Sequence, residues 1–428
     1  MSIGKYVLLS ICIFTLHQNL PAQYMSSSNL SGIGVPFFHA AIFRTFDEEG
    51  SDSLRLVKVY FQIINDDLTF LKQDSFYTAD VEFDIFITNE LGDFTFNRTI
   101  KKEIKTVQFE ETNARNIINT YSTDIRLKPD KYDMIITALD KTNNKQVNRK
   151  VKFELEDISK TNFLLSDILF FQEYEMDSTL RIVSFNPNLT NNFGGQGTYF
   201  YFYFNTAVTD PSDSLAIEYI IRNMGGIITQ FNQYKIVNNK NTNEHFIRIN
   251  RQQFDQSRYE LEVIAKYQNQ VMKTKKLFSF FWTENPESPQ DLTSAIQQMR
   301  YISEADSVGW ALKQTYEEKL AYFRRFWKRM DPNPDTEKNE LMDEFYLRVN
   351  VTNQNFSTIS QDGWQTDRGR IFIKFGDPDD IERHPFEINS DPYEIWRYYN
   401  YRKIFLFIDR SGFGDYYLHP DYLDEEYN

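Results

Sequence analysis

From Phe37 to about residue 283 the chain alternates apolar and polar side chains in short runs, which is the pattern of half-buried β-strands. Clusters of Asn, Asp and Gly separate the runs, as turns between antiparallel strands require. Aromatic residues make up 16% of the 428 residues and favour the same class, because they fit a pleated surface. The pattern therefore predicts a mainly β protein. The clearest predicted strands are Leu54–Ile64, Ala79–Thr88, Phe94–Val107, Tyr132–Leu139 and Val147–Leu155.

Two parts of this β-rich region resemble each other. Tyr132–Ala138 (YDMIITA) matches Tyr259–Ala265 (YELEVIA) in character, and a basic-apolar strand follows each copy. Leu127–Tyr132 (LKPDKY) also resembles the tyrosine corner of immunoglobulin-like sandwiches, whose hydroxyl bonds back to the backbone of the preceding loop. We therefore expect two tandem immunoglobulin-like β-sandwich domains, at 37–157 and 162–283, with chance similarity of two strand ends as the alternative.

The sequence changes character after a Pro-punctuated linker at 283–289 (TENPESP). Thr315 and Glu318 fit a capping box at the start of a helix, and a second helix is predicted from about Thr336. The inward positions are predicted to be Leu320, Phe323, Trp327 and Met330 on the first helix, and Leu341, Met342, Phe345 and Val349 on the second. Strands are then predicted at Arg370–Phe375, Glu394–Tyr399 and Lys403–Asp409. Residues 284–428 are therefore expected to form a small α+β domain, with two helices on an antiparallel meander.

The N-terminus has the pattern of an export signal. Lys5 precedes an apolar run, Tyr6–Leu16, that is too short to span a bilayer, and cleavage is predicted between Ala22 and Gln23. A retained membrane anchor is the alternative. Residues 1–22 are thus the predicted signal peptide and 23–36 a polar strap ahead of the first sandwich. Because the single cysteine, Cys12, lies in the signal, the mature chain would carry no thiol, as suits an oxidising compartment.

Composition limits the partners of this chain. With 47 Lys and Arg against 61 Asp and Glu, the net charge is −14, and this argues against a nucleic-acid binder, which needs a basic stripe to displace counterions. No later segment approaches the ~18 apolar residues of a transmembrane helix. We therefore expect an exported protein without a transmembrane segment in the mature chain, located in the periplasm or at the cell surface.

The sequence contains no recognisable catalytic motif. It lacks a Gly-x-Ser-x-Gly elbow, a His-Glu-x-x-His zinc motif and a phosphate-binding Gly loop. The carboxylates Asp377, Asp379, Asp380 and Glu382 are cation-ligand candidates, but a solvated turn is the preferred interpretation. No catalytic, cofactor or metal residue is therefore assigned.

The most informative segment is Gly363–Ile373 (GWQTDRGRIFI), followed by Phe375–Asp379 (FGDPD). This segment resembles the GWxTD domain, which occurs at the C-terminus of exported proteins, mainly of Bacteroidota and related bacteria. The resemblance covers about residues 290–420 and includes 326–332 (FWKRMDP), 393–398 (YEIWRY) and 409–415 (DRSGFGD). It implies an exported protein but no particular activity.

The motif leaves several roles open. As a folding element it would bury Trp364 and pair Asp367 with Arg329, Arg368 or Arg370. As a binding surface it would offer aromatic rings that stack on sugars or anchor a peptide. A catalytic role is the third possibility. The candidate residues are Gly363, Trp364, Thr366, Asp367, Arg368, Gly369, Arg370, Gly376, Pro378, Asp379, Trp396 and Tyr398.

Taken together, these observations predict a non-enzymatic scaffold or protein-interaction module of the cell envelope, with an envelope protein as its partner and no cofactor. The alternative is a glycan-binding module or carbohydrate-active enzyme of the envelope.

Overall fold

The structure, a computed structural model, is mainly β, with antiparallel sheets followed by a helical C-terminal part, which confirms the predicted class. The predicted signal peptide and its cleavage site at Ala22 and Gln23 lie outside the described residues. Within the described residues no helix is long and apolar enough to cross a membrane. The described residues are 29–30, 36–46, 54–114, 117–179, 181–194, 198–237, 241–254, 258–280, 289–333, 339–358, 361–384, 390–410 and 414–427.

The first pair of sheets packs face to face. Sheet I has the strand order β1-β2-β3-β7, and sheet II has the order β4-β5-β8-β9 with β6 also paired to β5. Inward residues of both sheets form one core, in which the rings of Phe61 and Phe83 stack with centroids 4.8 Å apart. The elements are β1 Asn29–Leu30, β2 His39–Thr45, β3 Arg55–Ile64, β4 Leu71–Gln73, β5 Phe76–Asn89, β6 Phe94–Thr106, α1 Phe109–Thr112, β7 Ile118–Leu127, β8 Lys131–Asp140 and β9 Lys145–Glu154.

The second pair of sheets repeats this arrangement around its own core. Sheet III has the order β10-β13-β11-β12 with β16 also paired to β13, and sheet IV has the order β15-β14-β17-β18. The elements are α2 Ile158–Thr161, β10 Phe163–Leu165, β11 Leu169–Met176, β12 Ile182–Pro187, β13 Tyr199–Val208, β14 Ser214–Asn223, β15 Ile228–Val237, β16 Thr242–Asn250, β17 Arg258–Tyr267 and β18 Gln270–Ser279.

Two details match the sequence expectations. The Tyr132 hydroxyl donates to the Lys128 carbonyl at 2.9 Å, which is the contact expected of a tyrosine corner. The two similar segments also fall on corresponding strands, β8 and β17, each of which pairs with the strand that follows it in the chain. The immunoglobulin-like assignment and the domain boundaries stay predictions.

Sheets I and III contact each other through their outer faces, so that the sheets pack in the order II, I, III, IV. A separate apolar cluster fills this contact, where the rings of Phe43 and Tyr203 lie 5.7 Å apart. Beside it, Arg44 binds Asp167 with Nη2 to Oδ1 at 2.6 Å and Nε to Oδ2 at 2.9 Å. Burial acts to raise the pKa of Asp167, but the Arg44 guanidinium outweighs it and lowers that pKa. A bidentate ion pair therefore fixes the junction between the two pairs of sheets.

The described residues of the C-terminal part form five helices that pack with one small antiparallel sheet, sheet V, in the order β19-β20-β21-β22. The prediction of two helices was therefore wrong. The capping box of Thr315 and Glu318 is present at the start of α5. Met342, Phe345 and Val349 pack in or against the core as expected, whereas Leu341 is 39% exposed. The elements are α3 Pro289–Gln298, α4 Ala305–Ala311, α5 Tyr316–Met330, α6 Glu340–Phe356, α7 Asp367–Phe375, β19 Asp380–His384, β20 Tyr393–Tyr398, β21 Lys403–Ile408 and β22 Tyr417–Leu418.

The strand predicted at Arg370–Phe375 is the second error. These residues form most of α7, with Ile371, Phe372 and Ile373 all buried. The alternation of the run was misleading, because a short helix covered on several sides also buries consecutive residues. Thr366 and Gly376 mark the two ends of this helix and are the stronger signals.

Candidate functional site

The GWxTD residues form a 3₁₀ turn, Gly363–Gln365, that lies directly against α6. A Cβ on Gly363 would lie 1.8 Å from the carbonyl oxygen of Thr352, so only glycine allows this approach. Two polar side chains at the end of α6 accept amides of the turn. Ser357 Oγ receives the Gly363 N–H at 2.8 Å, and Asn353 Oδ1 receives the Trp364 N–H at 3.0 Å. The first half of the motif therefore docks a tight turn onto a helix.

Thr366 connects that turn to α7. Its Oγ1 donates to the Gly363 carbonyl at 2.7 Å and accepts the Gly369 N–H at 3.1 Å, which makes it the N-cap of the helix. A Cβ on Gly369 would lie 1.9 Å from the Gly363 carbonyl oxygen, so the second glycine is required by close packing as well. Thr366 itself is buried, and both of its hydrogen bonds are internal.

Asp367 and Arg370 attach α7 to the end of the chain. Asp367 Oδ2 accepts the Leu418 N–H at 2.8 Å, and Oδ1 pairs with Arg370 Nη1 at 3.0 Å. Of the three arginines considered as its partner, the structure therefore selects Arg370. Arg370 Nε lies 3.0 Å from Glu426 Oε2, and Lys374 pairs with the same carboxylate. These charges bind internal partners.

Arg368 is the most enclosed charge of the motif. Its guanidinium lies over two rings, 4.8 Å from the centroid of Phe356 and 4.2 Å from that of Tyr416. Nη2 donates to the Gly414 carbonyl at 3.0 Å, and Nη1 lies 3.5 Å from Glu394 Oε2. Burial lowers the pKa of Arg368, and Glu394 opposes this effect.

The end of α7 uses the second run of turn residues, Gly376–Asp379. Gly376 adopts φ +80°, and its carbonyl accepts the Tyr398 hydroxyl at 2.9 Å. Pro378 restricts the backbone of the turn, and Asp379 Oδ2 then accepts the Tyr399 N–H at 2.7 Å. This segment therefore fixes the position of α7 relative to sheet V.

The three aromatic candidates are buried. Trp364 is 3% exposed and packs in the helical core, while Trp396 and Tyr398 are 0% and 1% exposed in the core beneath sheet V. The hypothesis that these rings form a stacking platform for sugars or an anchor for a peptide is wrong for this structure, because their ring faces are not accessible. Trp396 also donates its indole N–H to Glu394 at 3.1 Å.

The carboxylates considered as cation ligands take part in ion pairs and turns. Asp380 and Glu382 both pair with Arg397, at 3.0 and 2.6 Å. His384 Nε2 lies 2.7 Å from Glu382 Oε1, and its ring stacks on Tyr393. In the described ranges no group of three or more potential ligands has the geometry of a metal site.

Several residues that support the motif were not predicted. Asn353 and Ser357, at the end of α6, and Glu426, near the C-terminus, lie outside the motif in sequence. Tyr301 also donates its hydroxyl to the Trp364 carbonyl at 2.8 Å. The sequence offered only one signal for them, which is that Asn353 is a polar residue within the helical pattern of α6. In the structure Asn353 is buried.

The sequence profile of the GWxTD domain matches residues 278–412, the segment that contains most of these contacts. The chain therefore contains a GWxTD domain. No curated protein matches the chain at the threshold of significance.

Three solved structures show partial similarity to this chain, and the chain spans less than half the length of each. Red sea bream transglutaminase is 6% identical, with 56% of this chain and 31% of that chain covered and a TM-score of 0.17. Parabacteroides merdae β-glucuronidase is 8% identical, with 57% of this chain and 34% of that chain covered and a TM-score of 0.21. Latent PorU from Porphyromonas gingivalis is 11% identical, with 56% of this chain and 20% of that chain covered and a TM-score of 0.25. TM-scores this low carry no argument about fold or function.

Proposed function

We propose that this chain is an exported cell-envelope protein that acts as a non-enzymatic scaffold or protein-interaction module, with the GWxTD motif as its structural centre. One observation carries the proposal: the motif's polar side chains bond within the chain. Thr366, Asp367, Arg368 and Arg370 each bind internal partners. The motif therefore stabilises an arrangement of elements, as a scaffold requires.

Contacts between the parts of the chain support a fixed arrangement. Arg258 on β17 donates from Nη2 to the Thr358 carbonyl at 2.7 Å and from Nη1 to the Gln361 carbonyl at 2.9 Å. Its Nη1 also lies 3.3 Å from Asp362 Oδ1, directly before the GWxTD turn. This arginine holds the C-terminal part against the second pair of sheets, and Arg44 and Asp167 join the two pairs of sheets.

The ionisable groups with strongly shifted pKa values also favour a structural role. Burial lowers the pKa of His245 to about 4, and both ring nitrogens lie 3.0 Å from hydroxyls, those of Thr206 and Tyr234. Burial lowers the pKa of Lys276 to about 8, and its ammonium donates to the Ile168 carbonyl at 2.8 Å. These groups lie in protein cores with internal partners, whereas a catalytic acid or base must reach a substrate.

Export is tested by producing the full chain in a Bacteroidota host and determining the N-terminus of the chain in the envelope fraction. We expect a mature chain that begins at Gln23, and retention of the precursor when Leu9→Arg interrupts the apolar run. A chain that keeps Met1 in the envelope, or stays in the cytoplasm, would contradict the proposal.

The scaffold role is tested separately by crosslinking in intact cells, followed by purification of the mature chain. We expect one stoichiometric protein adduct. Turnover of an envelope glycan by the purified chain, or specific binding to a panel of envelope polysaccharides without any protein adduct, would favour the alternative function.

A further inference from the structure

Sheet V presents apolar side chains on both of its faces. Trp396, Tyr398, Phe405 and Phe407 point into the core beneath the sheet. The alternate positions form the opposite face, where apolar residues follow one another across the strands: Ile395 is paired with Leu406, and Ile408 is paired with both Tyr393 and Tyr417. We call this face the outer face; its apolar members are Tyr393, Ile395, Ile404, Leu406, Ile408 and Tyr417, and Arg397 lies on the same face, paired with Ile404.

The outer face is not part of any hydrophobic core that the described residues form. Ile404 is 44% exposed and Tyr417 is 48% exposed. All three outward positions of β21 are aliphatic, and the charged pairs of this face, Arg397 with Asp380 and Glu382, lie toward β19. A contiguous apolar face of this kind marks an interaction surface.

The size of the outer face distinguishes between occupants. Four strands about 4.8 Å apart, the longest about six residues long, cover at most roughly 400 Å². A stable dimer buries about 800 Å² on each partner, so a second copy seated here would bury too little. An amphipathic helix of about 13 residues is about 20 Å long and about 10 Å wide, so its footprint of about 200 Å² fits within the face.

The edges of sheet V do not favour addition of a strand. The outward residues of edge strand β19 are Asp380, Glu382 and His384, and charges on an edge oppose pairing with another chain. The other edge strand, β22, is only 2 residues long. A sheet with apolar residues on both faces is instead typical of layered folds, in which helices cover both sides. Here α6 and α7 supply one helical layer.

The charges along the two long edges indicate which charged residues a helix covering the outer face would carry. On the β19 side, Asp380 and Glu382 share the single guanidinium of Arg397. On the β22 side, Asp415 accepts the Tyr417 hydroxyl at 2.6 Å. Among the outward-facing side chains and their partners, Asp380, Glu382 and Asp415 outnumber Arg397, and this excess of negative charge complements Lys or Arg residues flanking an apolar stripe.

We propose that the outer face of sheet V binds an amphipathic helix of a partner protein, with an apolar stripe that packs on Leu406 and basic residues that meet the edges at Asp380 and Asp415. This inference rests on the proposed role as an interaction module and names the partner's chemistry. The helix completes the layer opposite α6 and α7.

The test uses the full chain with the photocrosslinker p-benzoylphenylalanine at Ile404 in producing cells. Val271, an exposed residue of β18, is the matched control position. We expect an adduct at Ile404 but not at Val271, with the attached segment carrying apolar residues at i, i+3, i+4 and i+7. A synthetic peptide of that segment should gain helical circular dichroism on binding the purified chain. Leu406→Glu should weaken binding at least tenfold, whereas Val271→Glu should leave it unchanged.

Other outcomes overturn the inference. They are an adduct to a second copy of the chain, to lipid, to residues 385–389 or 411–413 of the same chain, or no adduct at Ile404. An adduct at another position, with none at Ile404, would overturn the helix-binding face and leave the proposed scaffold role in place. Loss of folding in Leu406→Glu is detected by circular dichroism, and Leu406→Ser then replaces it as the binding variant.

Discussion

Replacing Gly363 by Ala tests whether the GWxTD motif acts through close packing. The added Cβ would lie 1.8 Å from the Thr352 carbonyl oxygen and 2.4 Å from its carbonyl carbon. Both atoms belong to the backbone of α6, which cannot move aside as a flexible side chain does. Atoms in ordinary contact are about 3.5 Å apart, so the turn must withdraw by about 1.7 Å.

That withdrawal determines the expected magnitude. Overpacking of a well-packed site costs about 1–3 kcal/mol. The shift also lengthens the hydrogen bonds from Gly363 N–H to Ser357 and from Trp364 N–H to Asn353, each of which contributes about 1 kcal/mol. We therefore expect Gly363→Ala to lower the free energy of unfolding of the C-terminal part by about 3–5 kcal/mol.

Urea unfolding followed by tryptophan fluorescence measures this effect, because all five Trp residues follow residue 281. The matched control is Gly309→Ala in α4, where a Cβ would meet no atom within 4 Å. Since Ala is favoured over Gly in a helix, the control should gain up to about 1 kcal/mol. If Gly363→Ala unfolds within about 1 kcal/mol of the unmodified chain, the close-packing argument is refuted.

Three further changes test the β-rich region. Asp167→Asn removes the closest carboxylate from the half-buried Arg44 guanidinium, so calorimetry should show a loss of about 1.5–3 kcal/mol, and an unchanged transition would contradict the role of this pair. Burial lowers the pKa of His245 from 6.5 to about 4, so folding favours the neutral imidazole. The neutral imidazole therefore makes its full contribution to the free energy of unfolding above about pH 7, and about 3 kcal/mol of this contribution is lost as the pH falls to about 4. In urea unfolding, His245→Gln should reduce the dependence of the free energy of unfolding on pH across this range, whereas His419→Asn should not. Equal pH dependence in the two variants would refute the assignment of this effect to His245. Tyr132→Phe removes the tyrosine-corner hydrogen bond and should cost about 1 kcal/mol in urea unfolding, whereas no loss would show that the bond contributes little.

The parts of the fold that local pattern specifies were predictable. Alternating side chains located β3, β5, β6, β8 and β9, because apolar residues recur at about every second position along these segments. The capping box at Thr315 located the start of α5 for a similar reason: its two reciprocal hydrogen bonds lie within one turn. The identity of the GWxTD segment was also available, since the run of residues is specific.

The roles of the motif residues depend on distant contacts and were only partly predictable. A pairing of Asp367 with Arg370 was one of three options that the sequence left open. Gly363 was a candidate residue of the motif, but its close contact with the backbone of α6 was not predicted. The strand prediction for Arg370–Phe375 failed because the run alternates in sequence as a strand does, whereas α7 buries the consecutive residues Ile371, Phe372 and Ile373. The contact of sheet I with sheet III was likewise missed, since its residues look like ordinary strand positions.

The internal bonding of the motif also indicates where recognition can occur. Side chains whose hydrogen bonds are made within the protein have little left to offer a partner, so we expect the motif to affect binding by positioning other elements. The Gly376 carbonyl accepts the Tyr398 hydroxyl, and Arg368 Nη1 lies 3.5 Å from Glu394 Oε2. These two contacts hold β20 from beneath, and the opposite side of β20 carries Ile395 on the outer face. Motif substitutions should therefore weaken partner binding in proportion to their effect on the stability of sheet V, whereas Leu406→Glu should weaken binding without that loss of stability.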